Sequence, residues 1–161
     1  MSMKVLESLK DAGATYEVID CDPSFADTAE FCNHYGYSLD ESANAILLEG
    51  KAESPVYALC VVLATTRINV NKVARKRLGT RKASFASAEI TKELTGMEIG
   101  GVTPVGLPVD LPIWIDSLVM ETPKVIIGAG SRSAKIYLSP DNLLRFPNTH
   151  IVDGLSMPIV N

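Results

Sequence analysis

The chain has 161 residues, 47% of them hydrophobic and 21% charged, which suits one folded domain spanning 1–161 with a real core. Its net charge of −4 argues against non-specific nucleic-acid binding, and no apolar run reaches the ~18 residues of a membrane span. Cys21, Cys32 and Cys60 are an odd set without metal-ligand spacing, which points to a reducing cytoplasm.

Met3 to Ala12 places Val5, Leu6 and Leu9 at helical spacing, with Gly13 as a stop. This N-terminal stretch is charged throughout and does not read as a signal peptide. TYEVID reads as a strand. Asp27-Thr28-Ala29-Glu30 reads as a capping box opening a helix that ends at Gly36. ANAILLEG and VYALCVVLA read as buried strands joined by a polar turn. Asn69 to Leu78 and Ser87 to Thr95 read as helices stopped by Gly79 and Gly96. Leu111 to Asp116, Lys124 to Ile127 and Ala134 to Leu138 read as strands, and Ser139-Pro140-Asp141 as a helix start. Short strand-to-strand spacings favour an α+β fold with a mixed or mainly antiparallel sheet.

Charge is unevenly distributed. Between Glu53 and Glu89 there is no acid, but there are seven cations: Arg67, Lys72, Arg75, Lys76, Arg77, Arg81 and Lys82. Such a run marks either a phosphate-facing patch or a solvated helix face. Two histidines, His34 and His150, leave little material for a metal site or a nucleophile–base pair, and no metal or other cofactor is expected. Cys32 and His34 lie two apart on a predicted helix, so they face different directions.

GMEIGGVTPVGLP, residues 96 to 108, holds four glycines and two prolines in thirteen residues. Gly100, Gly101 and Gly106 free the backbone, whereas Pro104 fixes its own φ and extends Thr103. A loop of this kind can aim successive N–H groups at one carbonyl or anion, or it can be a structural turn. GAGSRSAK, residues 128 to 135, lacks the ending of a nucleotide-binding loop and reads as a tight turn, with Arg132 able to reach an anion.

Six blocks in order resemble the YbaK/EbsC-like family of aminoacyl-tRNA deacylases, related to the editing insertion domain of bacterial prolyl-tRNA synthetases. They are DTAEFCNHYG, SANAILLEG, INVNKVARKRLGTRKASFAS, ELTGMEIGGVTPVGLP, LPIWID and GAGSRSAKIYLSP. The resemblance implies a compact α+β domain with a mixed, partly barrel-like sheet and surrounding helices. It implies hydrolysis, without a metal, of the ester joining a small mischarged amino acid, such as Cys or Ala, to the tRNA 3′ end. Gly100 and Gly101, in the glycine-x-x-x-proline element, would act on the ester carbonyl. Thr103, Pro104, Gly106, Gly128, Ala129, Gly130 and Arg132 would border the substrate. Lys72, Arg75, Lys76, Arg77, Arg81 and Lys82 would meet the tRNA acceptor end, and an aminoacyl-tRNA synthetase is a possible partner. Where the family carries a lysine, the strand SANAIL holds Asn44, which donates and accepts hydrogen bonds but has no charge. Two functions follow: an editing hydrolase using Asn44, or a non-catalytic binder of aminoacyl-tRNA or of a synthetase.

Overall fold

The structure is a computed structural model that describes residues 1–108 and 110–159. Helix α1 (Met3–Asp11) starts at Ser2, whose hydroxyl accepts the Val5 N–H at 3.3 Å. Strand β1 (Glu17–Asp20) and helix α2 (Thr28–Tyr35) follow, the helix ending where Gly36 adopts φ +80°. Then come β2 (Ala43–Gly50), β3 (Val56–Leu63) and β4 (Thr66–Ile68). The expected basic helix forms in two parts: a π-helical turn over Val70–Ala74 running into α3 (Arg75–Leu78). Strand β5 (Ala83–Phe85) leads to α4 (Ala88–Thr95), capped by Ser87. The rest is β6 (Ile113–Asp116), α5 (Ser117–Met120), β7 (Val125–Gly128), β8 (Ala134–Leu138), a 3-10 turn at Pro140–Arg145, β9 (Thr149–Val152) and β10 (Ser156–Pro158).

Among the described residues the strands form three sheets. The largest has the order β5-β2-β3-β6-β9, antiparallel from β5 to β3 and parallel from β3 to β9. A second, β1-β8-β7, is antiparallel, and β10 pairs with β4. A bridge between Ser42 and Ile126 links the first two sheets. The fold is therefore α+β with mixed sheets, as expected, but the sheets do not close into a barrel: β5 and β9 remain edges of the largest.

Both faces of the central strands are covered, which explains why β2 and β3 read as continuous apolar runs rather than alternating ones. Leu47, Leu59, Ile115 and Ile136 share one core with Val5 and Leu9 of α1. Leu48, Cys60, Val62 and Trp114 share a second core on the opposite face. Cys60 is a packing residue: burial pushes its thiol up to about 12. A third cluster, Cys21, Phe31, Cys32 and Ile126, lies beneath α2 and sets that helix over the second sheet. Among the described residues, no helix is long and apolar enough to cross a membrane.

Candidate active site

A cavity of about 430 Å³ opens where the two larger sheets meet. Its apolar wall comes from β2 and from the chain around β5 and α4: Ala43, Ala45, Leu47, Phe85 and Ala86. The polar wall comes from β2 itself (Asn44) and from three other places. These are the start of α2 (Asp27, Thr28), the glycine loop (Gly100) and β8 (Lys135).

Asn44 lies on β2 opposite Val62 of β3. The Thr28 hydroxyl donates to its Oδ1 at 2.5 Å. That bond fixes the amide oxygen, and among the described residues no acceptor takes its N–H groups, while Asn44 itself lines the cavity. Asp27 is the N-cap residue of α2, but its side chain makes no capping bond, so the expected capping box does not form. Its carboxylate instead meets Arg132 at 3.1 Å.

Arg132 is engaged on every nitrogen. Nε and one terminal nitrogen donate to the Pro23 carbonyl at 3.2 and 2.9 Å. The other terminal nitrogen donates to Asp27 and to the Ile99 carbonyl, the latter at 2.6 Å. Arg132 thus clamps three loops together instead of presenting a free guanidinium to an anion.

The glycine loop is bare mainly for the sake of its own neighbours. Gly130 donates its N–H to the Gly101 carbonyl at 2.7 Å, so residues 100–102 pack backbone against backbone on residues 128–131. A Cβ on Gly101 would stand 2.7 Å from the Ser131 carbonyl oxygen, and one on Gly128 would strike the Val102 carbonyl. The Gly101 N–H donates to the Glu98 carbonyl at 2.8 Å, so it is not directed at a substrate. Of this loop, Ile99, Gly100 and Val102 reach the cavity; Gly101 does not.

The other expected contacts divide in the same way. Gly128 lines the cavity. Ala129 is buried, with its carbonyl accepting the Ser2 N–H, and Gly130 packs against Ser2 and Val5. Thr103 is fully buried, and its hydroxyl has no partner among the described residues. Pro104 and Gly106 border a separate cavity of about 200 Å³ beside Ser8 and Phe146.

Lys135 was not among the expected site residues. It sits on β8, paired with Gly128 on one side and Ile19 on the other, and is only 5% exposed. Its ammonium donates to the Gly100 carbonyl at 2.7 Å and lies 5.7 Å from the centre of the Phe31 ring. Burial holds its pKa below the ordinary lysine value. A signal was present in the sequence: a lysine inside a strand that follows a glycine-rich turn. What was missing was the knowledge that α2 covers that face.

The basic segment splits into two surfaces. Arg75, Arg81 and Lys82 line an open groove of about 580 Å³ together with Lys51, which lies in the polar turn between β2 and β3. Arg75 is braced there by the carbonyls of Asn71 and Thr80, both at 3.0 Å. Arg77 lies over the Trp114 ring at 5.2 Å. Lys72 and Lys76 are exposed on the helix and do not border the groove. Strand β5 joins the two sites: Ala83 and Ser84 line the groove, and Phe85 lines the cavity. Among the described residues no three His, Cys, Asp or Glu side chains converge as metal ligands.

The class that the structure defines is a small α+β domain with a cavity of mixed polarity beside a basic groove. The family is more definite. Residues 22–146 match the model of the aminoacyl-tRNA editing domain, and the chain belongs to that family. It is 31% identical over 130 residues to the Bacillus subtilis protein named Uncharacterized protein YwhH, covering 81% of this chain and 80% of that one. It is 26% identical over 99 residues to the Enterococcus faecalis protein named Putative Cys-tRNA(Pro)/Cys-tRNA(Cys) deacylase EbsC, covering 62% of this chain and 58% of that one. The fold matches the crystal structure of a protein described as a "putative trans-editing enzyme for prolyl tRNA synthetase", with TM-score 0.79 at 24% identity over 95% and 97% of the two chains. A hypothetical protein solved by crystallography matches with TM-score 0.85 at 25% identity, over 96% and 99%.

Proposed function

We propose that this protein is a trans-editing hydrolase that cleaves the ester between a small mischarged amino acid and the 3′ end of tRNA. The observation that carries this reading is the two-sided cavity. Its apolar wall of Ala43, Ala45, Leu47 and Ala86 suits a small side chain, and its polar wall of Asn44, Gly100 and Lys135 suits an ester and a ribose. At about 430 Å³ the cavity sits at the small end of ligand sites, which run to ~1,000 Å³. That is room for an aminoacyl group with its ribose, while the rest of the tRNA lies outside.

The groove of Lys51, Arg75, Arg81 and Lys82 gives the acceptor end a place for its phosphates, next to the cavity along β5. Lys72, Lys76 and Arg77 are then peripheral, in contrast to the sequence reading that gave all six basic residues one role. Cysteine and alanine are the first amino acids to test, and an aminoacyl-tRNA synthetase is the first protein partner.

A second reading is a non-catalytic binder of aminoacyl-tRNA or of a synthetase. It draws on the Gly101 N–H, which Glu98 occupies, and on the uncharged Asn44. One assay separates the two. The full chain is mixed with a panel of mischarged tRNAs, and free amino acid is measured against the spontaneous rate. Release above that rate supports the hydrolase; saturable binding without release supports the binder.

A further inference from the structure

Packing alone gives no reason for a lysine at position 135. Its strand neighbours Ala134 and Ile136 are buried, and β8 is the middle strand of its sheet. Among the described residues no carboxylate lies within 4.0 Å of its ammonium. The groups that meet it, the Gly100 carbonyl and the Phe31 ring, are neutral. A cation buried without a counter-ion is strongly unfavourable, and an apolar side chain of the same length would serve the fold better. A residue kept at such cost is a candidate for function. Its position supports this. The ammonium carries three N–H donors, of which Gly100 takes one, and Lys135 borders the cavity beside Asn44 and Thr28.

We propose that Lys135 is a catalytic residue whose ammonium meets the ester carbonyl oxygen of the substrate as that oxygen becomes an oxyanion. This inference rests on the hydrolase reading. In the step, a water oxygen adds to the ester carbon and the carbonyl π pair moves onto oxygen, opposite the ammonium. The water loses one proton to solvent. When the carbonyl re-forms, the bond from carbon to the ribose oxygen breaks, and that oxygen takes a proton from solvent. The products are the free amino acid and tRNA with an intact hydroxyl. The field that stabilises the intermediate is already in place, because Gly100 and β8 hold the ammonium before substrate arrives. Burial lowers the pKa of Lys135 and Arg132 adds to that, while Asp27 and the Cys21 and Cys32 thiols oppose it. Rates measured across pH should therefore fall as the ammonium loses its proton below the ordinary lysine range.

The test uses the full chain with K135M, which keeps length and removes charge, and K135R, which keeps charge. Single-turnover release of amino acid is followed on the mischarged tRNA panel. K135M should slow release by about 10²–10³-fold, the loss typical of an oxyanion donor. Its affinity for uncharged tRNA should change little, and K135R should retain part of the rate. A purely structural lysine predicts the reverse, since methionine refills the space. A folded K135M protein that works at the wild-type rate overturns the proposal. If the wild type releases nothing from any tRNA, the hydrolase reading fails, and Lys135 is judged separately. Its Cε resonance, assigned by its loss in K135M, is titrated with a 3′-aminoacylamino-adenosine in which an amide replaces the ester. A shift keeps Lys135 as a cation that meets the carbonyl; an unmoved resonance removes it.

Discussion

At the scale of residues, Asn44 and Gly101 separate two kinds of importance. Asn44 has its oxygen fixed by Thr28, its N–H groups meet no acceptor among the described residues, and it lines the cavity. Asn44→Ala should reduce deacylation about tenfold, the worth of one hydrogen bond to a polar or charged substrate atom. Asn44→Asp removes the N–H donors and adds an anion to the cavity that Lys135 shares, so it should be worse than alanine, and most of all at low salt. Unchanged kinetics in a folded Asn44→Asp protein would take Asn44 out of the site. Gly101 behaves differently. Its missing Cβ makes room for the Ser131 backbone and not for substrate. Backbone cannot move aside as a side-chain tip can. Gly101→Ala should therefore cost about 2 kcal/mol of stability or more, a fall in Tm of about 4–8 °C. Thermal melts decide this, and an unchanged Tm would mean that the two glycine loops are not so tightly joined. The same two residues show what the sequence made legible at this scale. Motif and order led to Asn44 and Gly100, while the reason for the bareness of Gly101 and Gly128 became visible only with the partner loop in place.

At the scale of elements, β5 and the turn before it carry the argument about tRNA. They bring Arg81, Lys82 and, from the end of β2, Lys51 into one groove, where the Lys51 N–H bonds the Lys82 carbonyl at 2.9 Å. Lys72 and Lys76 lie outside it. Replacing Arg81 and Lys82 with glutamine should weaken tRNA binding for every amino acid alike, because phosphate contacts carry no amino-acid information. The log–log salt slope should shrink by about 0.7–0.9 for each phosphate that is no longer neutralised. The Lys72, Lys76 double glutamine variant should change the slope much less, and equal effects of the two pairs would return the tRNA-binding surface to the helix. Legibility follows element length. The eight-residue strands β2 and β3 and the helices α1 and α4 stood out because apolar spacing and terminal glycines repeat over enough residues to count. Strands β4, β5 and β10 have three residues each, too few for a period, and their pairing is decided by chain that is remote in sequence. The groove was hidden for the same reason: Lys51 meets Arg81 only once β5 pairs with β2.

At the scale of the whole molecule, the meeting of two sheets under α2 creates the cavity and also strains the protein electrostatically through Lys135. The effect on stability has a definite sign. The folded pKa of Lys135 lies below its unfolded value of 10.5, chiefly because burial disfavours the ammonium. Between these two values the unfolded chain binds more protons than the folded one, so this group makes stability rise with pH. Below the folded pKa both states are protonated and the full penalty is present; above 10.5 both are neutral and it is gone. K135M never carries the penalty. The difference in Tm, K135M minus wild type, should therefore fall as pH is raised from about 7 towards 10.5. The missing bond to Gly100 shifts that difference by a constant and leaves its slope alone. Tyr57 and Tyr137, whose pKa values burial raises, titrate alike in both proteins and cancel, whereas the Cys21 thiol, raised by burial and pulled down by Lys135, rises further in K135M and adds to the same fall. Parallel Tm curves would mean that Lys135 is as well solvated folded as unfolded. The cavity would then lack the desolvated cation on which the proposed oxyanion contact depends.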